Sequence, residues 1–145
     1  MTHDEKPENF KPDLEVVGCL VECGGKIILI HRQNNKLEGN KWGIPAGKID
    51  KTDLNIKEAM ARELREETGI IAKEEDLIFY KTFCVSHLGY NFYYHYFNLK
   101  LTKVPDIVLS KDEHKAFVWV TPNEALNMDL ILDEDHCMKN FYGIK

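Results

Sequence analysis

The chain lacks three features that would each redirect its reading: a long apolar run, a basic block and a paired-cysteine motif. No stretch approaches the roughly 20 apolar residues of a membrane-spanning helix, so no membrane role is expected. Met1-Thr2-His3-Asp4-Glu5-Lys6-Pro7-Glu8 has no apolar secretory core, which makes a cytoplasmic location the expectation. A formal net charge of −5 with no cluster of lysines and arginines gives no DNA-binding signature, because nothing is placed to neutralise a row of phosphates. It leaves room for a local basic pocket holding one nucleotide. Cys19, Cys23, Cys84 and Cys137 include no Cys-x-x-Cys pair and read as reduced, mostly buried thiols. Zinc held by Cys19, Cys23 and a histidine is the lesser alternative. Internal repeats and low-complexity segments are also missing.

What is present fits one globular domain: 145 residues, 43% hydrophobic and 30% charged. Residues 1–12 are polar, carry Pro7 and Pro12, and read as a flexible lead-in to a single domain over 13–145. Leu14 to Glu22 and Lys26 to His31 are β-rich runs split by Gly24-Gly25, the pattern of a hairpin. Ile27 to Ile30 is apolar without alternation, as in a strand covered on both faces. Gln33 to Lys41 is polar and reads as a surface loop. Two long strands, 77–87 and 92–101, are joined through Leu88-Gly89-Tyr90-Asn91, and a further strand spans 116–120. Thr121-Pro122 with Glu124 predicts a capped helix, and Asp133 or Asp135 opens a last one ending near Gly143. The order of elements predicts an α/β fold, a mixed sheet with helices on both faces.

The chemistry concentrates in Arg62-Glu63-Leu64-Arg65-Glu66-Glu67-Thr68-Gly69. Asn55 with Glu58 three residues on predicts a capped helix start at Ile56, and Gly69 predicts its end. At about 100° per residue, Met60 and Leu64 define the core side, and Glu58, Arg62 and Arg65 the solvent side. Glu63, Glu66 and Glu67 fall on the rim of the core-facing arc. A purely solvating run would lie opposite the core. Carboxylates gathered at helical spacing repel one another and suit a hard cation such as Mg2+, with Mn2+ as the other candidate. The bland alternative is a solvated face paired with Lys57, Arg62 and Arg65.

Gly47 followed by Arg62-Glu63-Leu64-Arg65-Glu66-Glu67-Thr68-Gly69-Ile70 resembles the Nudix box: Gly, five residues, Glu, seven residues, then Arg-Glu-apolar-x-Glu-Glu-x-Gly-apolar. The approach Trp42-Gly43-Ile44-Pro45-Ala46-Gly47-Lys48-Ile49, and the later Glu113 and Trp119, resemble the family too. One departure stands out. Gly47 to Arg62 spans fifteen positions where the family has fourteen, so Leu54 occupies the place of the early Glu and Asp53 sits one before it.

The resemblance implies a Nudix-type α/β/α sandwich and hydrolysis of a pyrophosphate bond in a nucleoside diphosphate joined to a group X. A nucleoside triphosphate or nucleotide sugar is the expected substrate, and water activated by a metal the expected attacker. It implies Glu63, Glu66 and Glu67 as metal ligands, with Gly47 offering its carbonyl and Glu113 arriving from its loop. The general base is one of Glu66, Glu67 or Glu113. Arg62 is expected to position the loop and glutamates more than to touch phosphate. Arg32 and Lys48 are the candidate substrate-binding cations, a surface ion pair being the other reading of Arg32. His87, His95 and His114 read as structural, and Tyr90, Tyr94 and Tyr96 as core residues or stacking surfaces for a base. Many relatives are dimers, so a homodimer is an open expectation. A nucleotide-binding module with little turnover is the alternative to an enzyme.

Overall fold

The structure is a computed structural model that describes residues 1–87 and 89–145, so Leu88 of the expected turn lies outside the described residues. The sheet is assembled on β2 (Leu14–Cys23), which alternates inward on both faces. Val17, Cys19 and Val21 join one core and Leu20 the other. One edge of β2 pairs in parallel with β7 (Tyr90–Leu101), from Leu14 opposite Phe92 to Cys23 opposite Leu101. Its other edge is divided. β5 (Ala46–Lys48) pairs with Val16 to Gly18, whereas β3 (Lys26–Arg32) pairs only at Glu22 and Cys23. That change of partner spreads the sheet beside β5 and opens room for a cleft.

The remaining strands complete a mixed sheet in the order β1-β6-β7-β2-β3-β4, with β8 (His114–Val120) on β3. Here β1 is Thr2–His3, β4 is Trp42–Gly43 and β6 is Ile78–His87. Ile27 to Ile30 are at most 1% exposed, because Ile28 packs beneath α1 (Ile56–Thr68) while Ile27 and Leu29 face the opposite core. That second core is closed by α2 (Pro122–Ala125) and α3 (Glu134–Tyr142). Helices therefore cover both faces of the sheet, and none is long and apolar enough to cross a membrane.

The caps form where their residue types predict. Asn55 Oδ1 accepts from the Glu58 N–H at 2.9 Å, and Gly69 ends α1 at φ 76° with its N–H on the Arg65 carbonyl. Thr121 and Glu124 form a reciprocal capping box on α2. The four cysteines are free, and three are buried.

Residues 1–12 depart from expectation. Thr2 and His3 pair with Val85 and Cys84, and Phe10 is buried with its ring 5.6 Å from that of Tyr93. The segment is packed because the edge of β6 offers it a ladder and Phe10 gives an otherwise polar stretch one apolar anchor.

Candidate active site

Ala59, Glu63 and Glu67 lie four residues apart on α1, next to the Met60–Leu64 ridge that enters the core. That ridge presses α1 against the sheet, so Glu63 and Glu67 are driven onto β5 and are only 9% and 5% exposed. Glu67 Oε1 accepts the Ala46 N–H at 2.8 Å. Glu63 lies over Gly47, where an added Cβ would stand 2.1 Å from its carboxyl carbon. Gly47 thus sits within β5 and is needed for close approach. Because the atom it would meet ends a flexible side chain, Gly47→Ala is expected to leave the fold intact and turn the Glu63 carboxylate aside. Calorimetric titration with Mn2+ is expected to show about 10- to 100-fold weaker binding; unchanged affinity would contradict this placement.

Arg62, expected toward solvent, instead folds over the loop and its side chain is 18% exposed. Nε and Nη2 grip Asp53 at 3.0 and 2.9 Å. Nη1 reaches Glu63 and Glu66, both at 3.0 Å, and Nη2 also donates to the Lys48 carbonyl at 3.1 Å. All five guanidinium donors are consumed, so none is left for a phosphate. Asp53 holds the place of the missing Glu, and Leu54 points outward at 85% exposure. The extra loop residue is absorbed by a turn in which the Asp50 N–H donates to Asp53 at 2.8 Å. The Arg62 hydrogen bonds hold the Asp53 carboxyl below its ordinary range.

Of the three rim glutamates, Glu66 is the exposed one, its side chain 55% accessible and tied to Arg62. Glu67 is met instead by Glu113 and His114 from the start of β8, and one ligand atom from each of these three lies within 4.8 Å of the others. The Gln33 N–H on the Glu113 carbonyl at 2.9 Å sets that loop against the end of β3. Burial, then the nearby charge of Glu63, raises the Glu67 pKa well above the usual carboxylate range, and burial does the same more mildly to Glu63. His114 is pushed down to about 4 by burial and by Arg32 and Lys36, so it is a neutral imidazole, and its Nδ1 is buried with no partner among the described residues. The carboxylates fit a hard divalent cation, since Glu63 and Glu67 repel each other when bare and Gly47 leaves room for Glu63, whereas the His114 imidazole beside them is a softer donor. Glu63, Glu67 and Glu113 could hold it directly, with Glu66 and the Gly47 carbonyl at the margin.

A cavity of about 550 Å³ abuts this cluster through Ala46 and Gly47. Arg32 and Lys48 line it, and Arg32 forms no ion pair among the described residues. Tyr94 and Glu134 also line it, while Tyr96 is wholly buried. The two phenols each donate to Glu134 at 2.8 Å, and burial pushes that acid up to about 7. His95 is structural, bonded to Thr82 and Glu15. No local pattern marks His114 as a neighbour of Glu67, or Glu38 and His87 as cavity residues, since those placements depend on loops meeting from distant strands.

A family model described as "NUDIX domain" matches residues 11–141. The CTP pyrophosphohydrolase of Escherichia coli (strain K12) is 34% identical over 134 residues, covering 91% of this chain and 93% of that protein. Among solved structures, the MutT protein from Methanosarcina mazei Go1 superposes with a TM-score of 0.77 at 27% identity, covering 92% of this chain and 95% of that one. The NUDIX domain of Shewanella oneidensis NrtR, solved with ADP ribose, gives 0.78 at 18% identity, covering 97% and 93%, a likeness of fold.

Proposed function

The chain belongs to the Nudix hydrolase family, and from that premise we propose that it cleaves a pyrophosphate bond in a nucleoside triphosphate, with a nucleotide sugar as the second substrate class. The observation that carries this reading is the pair of buried glutamates, Glu63 and Glu67, held against β5 beside the cavity. The CTP pyrophosphohydrolase likeness over nearly the whole chain favours the triphosphate.

Glu63, Glu67 and Glu113 would hold Mg2+ or Mn2+, with Glu66 and the Gly47 carbonyl as further donors. When bound, such an ion polarises phosphoryl oxygens and acidifies water. The chain's residues supply the rest. Arg32 and Lys48 offset phosphate charge at the cavity wall. Arg62 serves as a positioning residue, since its donors lock the loop to Glu63 and Glu66. Among the candidate bases, Glu67 is fixed at the cluster by the Ala46 N–H, with Glu113 beside it. Nothing at the site favours a binding module without turnover, because Asp53 supplies the carboxylate that Leu54 lacks.

The test is a panel of nucleoside triphosphates and nucleotide sugars with magnesium and with manganese, following nucleoside monophosphate and phosphate or pyrophosphate. Release that needs the cation supports the proposal; none from any substrate with either cation would overturn it.

A pH dependence follows. Glu63 and Glu67 have folded pKa values above their unfolded ones, so in the cation-free protein they lower stability as pH rises through those folded values. A cation at the cluster removes that penalty and competes with protons. The rise in Tm on adding magnesium is therefore expected to be larger at about pH 8 than at about pH 5.5. Equal rises in thermal melts at the two pH values would count against the cluster as the binding site.

A further inference from the structure

The cavity has two unlike ends. Lys48 stands beside Gly47 at one, whereas His87 and the acids Glu38, Asp133 and Glu134 line the rest with apolar walls, and Arg32, its Nε on the Leu37 carbonyl at 2.9 Å, reaches toward the Glu38 side. β7 and β2 separate β6, which carries His87, from β5, so the ends are roughly 14 Å apart at three strand spacings. That is the span from the phosphates of an extended nucleotide to its base. Rings line the way: His87 and Tyr90 lie 5.7 Å apart and 9° from parallel, and Tyr90 and Phe92 lie 5.7 Å apart at 29°.

Two of the three acids already have strong partners. Glu134 accepts from Tyr94 and Tyr96, and Asp133 pairs with the N-terminal ammonium at 2.8 Å. Glu38 is different. Its Oε1 is tethered by the Leu132 N–H at 2.8 Å, while its Oε2 has no hydrogen bond among the described residues and stands 3.8 Å from His87 Nε2. That nitrogen is itself buried with no hydrogen-bond partner among the described residues, on a side chain 4% exposed. Glu38 also keeps a φ of 54°, a backbone state in which glycine or asparagine is the ordinary occupant. A strained residue with one tethered and one free carboxylate oxygen at a cavity wall is built to meet something.

We infer that Glu38 reads the base: its free oxygen accepts a hydrogen bond from an exocyclic amino group, and His87 behind it is a positioning residue. The substrate class is then a nucleotide of cytosine or adenine in preference to its keto counterpart, an inference that rests on the pyrophosphohydrolase reading of the same site. The chemistry is one-sided. An ionised carboxylate only accepts, and the amino groups of cytosine and adenine donate from the edge opposite the sugar. Uracil and hypoxanthine place a carbonyl oxygen at that position, so acceptor meets acceptor there, and their nearest donor is the ring N–H beside it. Closing the gap to His87 by about 0.8 Å would complete a hydrogen bond and fix the carboxylate.

Calorimetry of the whole protein with CMP against UMP, and AMP against IMP, tests this without requiring turnover. The amino member of each pair is expected to bind about tenfold or more tightly. Glu38→Gln, whose amide can offer either its oxygen or its NH2, is expected to bring both ratios close to one. Glu38→Asp, which keeps the charge but withdraws it, is expected to narrow them and serves if the first variant does not fold. His87→Phe, keeping the ring and losing Nε2, is expected to narrow the CTP-to-UTP preference through KM with kcat little changed. Equal binding within each pair, or ratios that survive both Glu38 variants, overturns the inference. Cation-dependent hydrolysis of the triphosphates without base preference defeats it while leaving the hydrolase reading. Base preference without hydrolysis does the reverse.

Discussion

Glu67→Gln is expected to lower kcat/KM by about 10²- to 10⁴-fold with the fold unchanged. The substitution is nearly isosteric, and the glutamine carbonyl oxygen can still accept the Ala46 N–H that Glu67 Oε1 accepts at 2.8 Å. What it removes is a charge that burial and Glu63 already hold in an unfavourable state, and with that charge the cation ligand and proton acceptor proposed for this position. The apo variant is therefore expected to melt no lower than the wild type, and to lose most of its Tm rise with magnesium. Steady-state kinetics and paired melts check the two halves separately. Full cation-dependent turnover would remove Glu67 from the site; a large drop in apo stability would make its role structural. The same substitution at Glu66 is expected to cost less, because Glu66 is half exposed and not among the three residues that converge.

Arg62→Ala is expected to destabilise the protein by about 3 kcal/mol, roughly a 10 °C fall in Tm for a chain of this size. The loss comes mainly from Asp53, whose side chain is 2% exposed and would keep its charge without the guanidinium. Breaking such a pair costs more than the pair contributes, because the remaining charge is left desolvated. Activity is expected to fall as well, since Glu63 and the Lys48 carbonyl lose the hydrogen bonds that hold the loop. A companion variant locates the effect. Leu54→Glu restores the family residue at the family position, yet is expected to stay within about 0.5 kcal/mol of wild type because that position faces solvent. Denaturant titration of both variants decides the matter. Marked stabilisation by Leu54→Glu, or a silent Arg62→Ala, would show that Asp53 does not carry the role.

By itself the sequence determined the parts written in local patterns. The capped helix from Asn55 to Gly69, the hairpin at Gly24-Gly25, the doubly buried Ile27 to Ile30 and the family all follow from short-range spacing, because caps, turns and periodicity act over a few residues. The helical wheel also placed Glu63 and Glu67 beside the core, though it put Arg62 in solvent. It could not register that a buried Asp53 would draw the guanidinium down. Tertiary structure decided everything that needed two distant segments to meet. Packing of α1 on β5 turned Gly47 into a seat for Glu63. The antiparallel pairing of β8 with β3 brought Glu113 and His114 to Glu67. The edge of β6 captured a lead-in whose composition resembles that of a free tail. The loop after β3 set Glu38 opposite His87. These contacts carry no spacing rule, since their geometry belongs to the sheet and not to the chain between them.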